Sequence, residues 1–454
     1  MKIKSINPYT EEINWKYDAL SFKDCEIQIE KTRAAFEGWS TLPVEARLKY
    51  IDRAASVLRK NARIYAEIIT KEMGKPIKES LAEIEKCARA CDYYAENAAE
   101  FLKPEPVETG AEKSYVSFEP LGVILGIMPW NFPFWQVFRF VIPALSAGNV
   151  CLLKHASNVP GSALEIGKVF LEEGLPENVF KTLLIDSKTA MELIEEDLVD
   201  GVSLTGSVGA GAAVGELAGK RIKPLVLELG GSDPFIVLED ADIDTAARAA
   251  VQARFMNAGQ SCIAAKRFIV LEPVVGAFTA RFDEYMQQLK VGDPLDEETD
   301  IGPVAKAEFV GELEKVLKDA EKKGGEPKVH EARPEKGFFF SPALVPAAKT
   351  DMKVCSLEIF GPIAPIISVR DEAEAVEVAN STEFGLGGTV WSKDLERAEK
   401  IAGQLKAGFV VVNGMVKSDP GLPFGGIKKS GVGRELSHYG LKEFVNIKTV
   451  IINK

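Results

Sequence analysis

The chain has 454 residues, 46% hydrophobic and 27% charged, enough for about three domain-sized units and a core that folds without disulfides or metals. Its 55 Lys and Arg against 67 Asp and Glu give a net charge of −12, and an acidic chain without a basic run is poorly suited to nucleic acid or an anionic membrane. Three scattered histidines (His155, His330, His438) and six cysteines without a Cys-x-x-Cys pair argue against a metal centre or a redox dithiol.

The polar start at Met1 lacks an apolar signal-peptide core, and the greasy stretches 121–130 and 140–145 fall short of the roughly 18–20 residues of a membrane helix. A soluble cytoplasmic protein is expected. Leu48, Ile51, Ala55, Leu58, Ala62, Tyr65 and Ile69 recur at alternate spacings of three and four and predict one amphipathic helix. Pro43 suits its first turn and Gly74 its end. A second helix is predicted over 77–102, closed by Pro104 and Pro106. Residues 113–119 then alternate as an exposed strand would.

Beyond Pro120 the rhythm changes to short apolar runs, at 121–128, 150–153, 179–185 and 202–205, each followed by a helical stretch. A second series starts at Asp233, with strands over 234–238 and 267–271 and helices over 243–256 and 275–289. Such alternation predicts an α/β protein with mostly parallel sheets covered on both faces. The two α/β units meet near 230–233, and ligands are expected in the crevice between them.

Five features could carry chemistry. Cys262 follows Gly259-Gln260-Ser261 in a loop between a helix and a strand, where a thiol stays accessible; a thiolate attacks carbonyl carbon well, and the alternative is a packing cysteine. With histidine so scarce, its base would be a carboxylate. Glu228 ends the apolar run 225–227 before two glycines; buried there, it is either half of an ion pair or a general base with a raised pKa. Asn131, between Pro129 and Pro133, is a turn former or an oxyanion donor. Gly206, Ser207, Gly209 and Gly211 open a helix after the strand 202–205, where backbone N–H groups could meet a pyrophosphate, although the spacing is not Gly-x-Gly-x-x-Gly. Lys154 ends the strand 150–153 on the edge where doubly wound sheets bind ligands, or is a solvated lysine.

Taken together, Pro129-Trp-Asn-Phe-Pro133, Leu227-Glu-Leu-Gly-Gly231, Gly259-Gln-Ser-Cys262, Glu358-Ile-Phe-Gly-Pro362 and Pro423-Phe-Gly-Gly426 resemble the NAD(P)-dependent aldehyde dehydrogenase superfamily over nearly the whole chain. The close of the chain, 431–441, is most similar to a branch acting on succinate semialdehyde. The resemblance implies a Rossmann-type cofactor domain (1–101 and 121–230), a catalytic domain (231–425) and a small β oligomerisation arm (102–120 and 443–454) that would pair subunits into a homodimer or homotetramer. It implies that Cys262 is the nucleophile, that Asn131 and the Cys262 N–H form the oxyanion hole, and that Glu228 activates the water that releases a free acid. Relatives that pass the acyl group to coenzyme A lack that carboxylate. Cofactor contacts are implied for Lys154, Ser157, Gly206, Ser207, Glu358, Phe360 and Trp130.

Two departures from the family pattern shape the remaining expectations. Ser157 replaces a glutamate that binds the adenosine ribose in NAD-preferring relatives, which removes repulsion against a 2′-phosphate; NADP is therefore expected, with NAD also usable. Arg139 lies about two helical turns beyond Asn131 and would face the same tunnel, where its guanidinium suits a distal carboxylate. Ser418 resembles a hydroxyl contact of the succinate semialdehyde branch, whereas Met256 stands where some members carry a second arginine. Succinate semialdehyde is the expected substrate; small neutral or hydroxylated aldehydes such as lactaldehyde or glyceraldehyde are the alternative, and a non-catalytic relative of the fold is a remote third.

Overall fold

Two twisted sheets carry the architecture of the computed structural model, which describes residues 2–172, 174–330 and 334–454. The first sheet has the strand order Gly431–Val432, Leu225–Glu228, Gly201–Thr205, Val123–Met128, Val150–His155, Phe180–Thr182. All its pairings are parallel except that of Gly431–Val432. The second orders Lys328–Val329, Ala343–Val345, Ile363–Val369, Ala265–Leu271, Asp233–Val237, Gly387–Trp391 and Phe409–Val412, again parallel except at Lys328–Val329. The central strands are buried on both faces and their middles read as apolar runs because helices cover each side. The α/β expectation holds.

The chain passes from one sheet to the other within residues 229–232, and this short crossover fixes the crevice. A side chain at Gly231 would lie 2.7 Å from the carbonyl oxygen of Cys262, so glycine is what lets the crossover approach the cysteine loop.

The stripe predicted as one helix from Leu48 to Ile69 is two, Val44–Lys60 and Ala62–Met73. They break at Asn61 (φ −105°, ψ 13°), whose amide instead donates to Tyr65 Oη and Glu172 Oε2, both at 3.2 Å. The buried stripe runs on across the break, so periodicity alone could not reveal it. Gly74 ends the second helix in the left-handed conformation, φ 80°. The run predicted over 179–185 is a strand only at Phe180–Thr182; Leu183 and Ile185 are buried as cover at the sheet edge.

Helix Pro133–Ala147 is buried at every position. Its N-terminus has no cap of its own; Glu83, from the adjacent helix Ile77–Phe101, accepts from the backbone N–H groups of Phe134 (2.9 Å) and Trp135 (3.0 Å). Lys75 pairs with Glu83 and stands 3.7 Å from the centre of the Phe132 ring, so a buried ion pair clamps the segment that follows Asn131.

Lys113–Pro120 pairs antiparallel with Val445–Ile452 along its whole length and with Glu105–Pro106 on its other side. Among the described residues, no helix is long and apolar enough to cross a membrane.

Candidate active site

Cys262 sits in the loop between the turn Met256–Gly259 and the strand Ala265–Leu271. It is half-buried, whereas Cys25, Cys87, Cys91, Cys151 and Cys355 are buried. Asn257 and Ala258 hold the turn in the left-handed region (φ 54° and 52°), a conformation asparagine tolerates and alanine does not favour. Asn257 Nδ2 donates to the carbonyls of Asn131 (2.9 Å) and Gln260 (3.1 Å), and its own N–H is held by Glu79 at 2.8 Å. Lys266, buried behind the loop, donates to the carbonyls of Ser261 (2.8 Å) and Cys262 (2.7 Å). These bonds fix where the sulfur stands.

Burial pushes the Cys262 thiol up to about 11, against the opposing positive charges of Arg139 and Lys266. His155 cannot be its base. That ring is buried, shares a 2.8 Å hydrogen bond with the Pro133 carbonyl oxygen, and is pushed down to about 4 by burial. Asn131 is buried beside the loop and its amide donates to the Gln260 carbonyl at 3.1 Å, close to where an oxyanion on a Cys262 adduct would form.

Glu228 ends its strand 2% exposed, and neither carboxylate oxygen has a hydrogen-bond partner. Burial, with Glu435 as a second contributor, holds its pKa well above the usual carboxylate range, while Arg139 and Arg434 pull the other way. A side chain at Gly425 (φ 152°) would lie 2.6 Å from Glu228 Oε1; that glycine leaves room for the carboxylate. A desolvated, unpartnered carboxyl three residues before Gly231, which closely approaches the Cys262 carbonyl, can take a proton from water.

Arg139 does not present a free guanidinium to a tunnel. It forms a buried ion pair with Glu435, donates to Thr205 Oγ1 at 3.3 Å and stands 4.6 Å from the centre of the Phe424 ring. Its helix has no exposed face, so the pair lies wholly inside the protein. Its charge nevertheless acts on Cys262, Glu228, Glu435 and Lys86, which places it at the electrical centre of the site. Ser418, nearly buried, accepts a 2.7 Å hydrogen bond from Lys86.

On the other side of the crevice, Ser207 caps helix Val208–Lys220 by accepting from the Ala210 N–H at 3.3 Å. No acidic residue occupies its first turn, and the space at Gly209 is open. Lys154 is buried near the end of its strand; burial lowers its pKa, Asp186 acts on it from a distance, and among the described residues it forms no ion pair. Ser157 is exposed in the turn that follows. Glu358 accepts from the Gly231 N–H at 3.0 Å with Lys266 3.9 Å away, and burial raises its pKa. Phe360 packs edge-on against Trp130 at 5.9 Å, and Trp130 stacks on Phe309 at 5.3 Å. A helix N-terminus without acidic residues, a lysine with no ion-pair partner among the described residues, a largely buried carboxylate and an aromatic wall fit a pyridine dinucleotide.

Sequence reasoning missed Lys86, Glu435 and Asn257. Lys86 and Glu435 reach the site from distant elements, and only the unusual backbone of Asn257, which no spacing encodes, marks it.

The aldehyde dehydrogenase family model matches residues 1–450. The chain is 45% identical over 453 residues, covering all of both chains, to a Synechocystis sp. protein named probable succinate-semialdehyde dehydrogenase (NADP+). It is 43% identical over 456 residues, again with full coverage, to succinate-semialdehyde dehydrogenase (NADP+) 1 of Mycobacterium tuberculosis. Among solved structures, succinic semialdehyde dehydrogenase from Streptococcus pyogenes in complex with NADP+ superposes with a TM-score of 0.96 at 37% identity, with 100% of each chain covered. Sheets, crevice, cysteine loop and sequence agree: the chain belongs to the aldehyde dehydrogenase family.

Proposed function

We propose that this enzyme oxidises succinate semialdehyde to succinate with NADP, through a covalent adduct on Cys262. The observation that carries the reading is a buried carboxylate, Glu228, with both oxygens unpartnered, three residues before the glycine that closely approaches the loop of Cys262, the one cysteine that is not fully buried. Once the Cys262 proton has passed to solvent, the thiolate attacks the aldehyde carbon, and Asn131 Nδ2, released from the Gln260 carbonyl, donates to the resulting oxyanion. The chemistry supplied by a bound nicotinamide dinucleotide is two-electron acceptance, which converts the thiohemiacetal on Cys262 to a thioester. Glu228 then takes a proton from the water that attacks the thioester carbonyl; the C–S bond breaks and the carboxylate leaves. Burial suits Glu228 to that task because a carboxylate of raised basicity is the stronger proton acceptor.

The cofactor residues have separate duties. The N-terminus of helix Val208–Lys220, with Gly206 and Ser207, would hold the pyrophosphate; Glu358 would hold ribose hydroxyls, and Trp130 and Phe360 would wall the nicotinamide. Lys154, without an ion-pair partner among the described residues, and Ser157, lacking charge, suit a 2′-phosphate, so NADP is favoured and NAD remains usable. NADP in the names of the relatives supports the same choice.

The strand Val445–Ile452 lies at the edge of its sheet with Ile447 and Ile451 exposed, which supports pairing with a second copy in a homodimer or homotetramer. The test of substrate and cofactor is kcat/KM for four-carbon and five-carbon aldehydes with and without a terminal carboxylate, each with NADP and NAD. Succinate semialdehyde with NADP should rank first; an equal or better neutral aldehyde would refute the substrate reading.

A further inference from the structure

Helix Ile77–Phe101 sends three charged side chains toward the catalytic crevice, at spacings of four and three that share one helical face. Glu79 holds the Asn257 N–H, and Glu83 holds the start of helix Pro133–Ala147 while paired to Lys75. Lys86 has no such structural duty. Its Nζ lies 2.7 Å from Ser418 Oγ and 4.2 Å from the centre of the Trp135 ring, both neutral groups. Among the described residues, no carboxylate stands within ion-pair distance of it.

Arg139, one helical turn beyond Trp135, differs because Glu435 already neutralises it. Trp135 and Ser418 are nearly buried, whereas Lys86 and Cys262 each keep a minor part of their surface accessible. Trp135, against which Lys86 stands, lies on the helix that begins two residues after Asn131, whose amide holds the Gln260 carbonyl in the cysteine loop. This geometry sets the cation beside the segment that borders the thiol, and the charge of Arg139 acts on both. An ammonium without a counter-ion, set between a hydroxyl and an indole, is built to receive an anion.

We propose that Lys86, with Ser418, anchors the terminal carboxylate of the aldehyde and sets the preference for a carboxylated substrate over a neutral one. The inference rests on the substrate reading above and assigns its specificity to a residue outside the recognisable motifs. Arg139 is then a positioning residue, holding Glu435 and adding positive field. The carboxylate displaces no protein partner; it completes a site left one charge short.

Burial and the charge of Arg139 bring Lys86 down to about 8, with Cys87 and Glu83 raising it and Arg89 lowering it from its own helix. The free amine therefore loses its proton as pH rises through that value. Affinity for a carboxylated aldehyde should fall there, while a neutral aldehyde does not sense the change. Titration of Cys262 affects both substrates and cancels in their ratio.

The test measures KM for succinate semialdehyde and for pentanal, with saturating NADP, in the wild type, Lys86→Met and Lys86→Arg. Lys86→Met should raise KM for succinate semialdehyde about 10–100-fold, the worth of a charge-assisted hydrogen bond, and that for pentanal far less; Lys86→Arg should restore much of the loss. In the wild type, the KM ratio of the two aldehydes should climb above about pH 8, a readout that needs no variant. A wild-type preference for the carboxylated aldehyde that survives Lys86→Met, or a ratio flat across that pH, overturns the role of Lys86 alone. A wild type without that preference overturns the substrate reading and this inference together.

Discussion

On the cofactor side of the crevice, Ser157 and Ser207 are exposed and the N-terminus of helix Val208–Lys220 meets open space. On the sulfur side, Glu228, Glu435, Arg139 and Lys266 are all buried. Groups near water are cheap to place and adjustable, so the first region can recognise a phosphate with exposed hydroxyls and backbone N–H groups, the buried Lys154 being its one desolvated cation. A charge out of water costs several kcal/mol unless a partner offsets it, so the second region is a network in which each group sets the protonation of the next. Removing a group on the sulfur side should therefore disturb chemistry or folding, whereas a change on the cofactor side should only re-weight binding.

The largest effect expected is that of Glu228→Gln. It keeps the shape of the side chain but not its basicity, and steady-state turnover should fall about 100–10,000-fold while the first reduction of NADP stays close to wild type. Unchanged steady-state turnover would remove Glu228 from the mechanism. Next comes Arg139→Leu, which strands Glu435 without its cation and should cost about 3–5 kcal/mol in denaturant unfolding. The double variant Arg139→Leu/Glu435→Leu should recover most of that loss, and equal stability of all three proteins would contradict a buried, interdependent network. The smallest effect is reserved for the cofactor side. Ser157→Glu should shift the kcat/KM ratio toward NAD by about tenfold, a like-charge term of roughly 1–2 kcal/mol near solvent, with no change in unfolding. A loss of stability there would blur the contrast between the two regions.

The same contrast explains what the sequence disclosed. Cys262, Glu228 and Asn131 lie in short motifs whose oddities are local: a thiol after glycine, a carboxylate ending an apolar run, an amide between prolines. The sheets were legible because their central strands are continuous apolar runs of strand length. Lys86 was not legible, since its stretch reads as an ordinary polar helix, and Glu435, although inside the stretch 431–441 that carries the resemblance, was not legible as a partner of Arg139; each reaches the site only through packing. Arg139 was noticed, but its partner lies 296 positions away and no spacing rule connects them. The break at Asn61 escaped for a related reason: its hydrophobic stripe is unbroken and only the backbone changes course.

The most direct test of the sulfur chemistry is acid quenching of Glu228→Gln after mixing with succinate semialdehyde and NADP, followed by peptide mass mapping. The mechanism predicts one succinyl group per chain, on the peptide that carries Cys262. An unmodified Cys262 after NADP has been reduced, or a succinyl group on another cysteine, would contradict it.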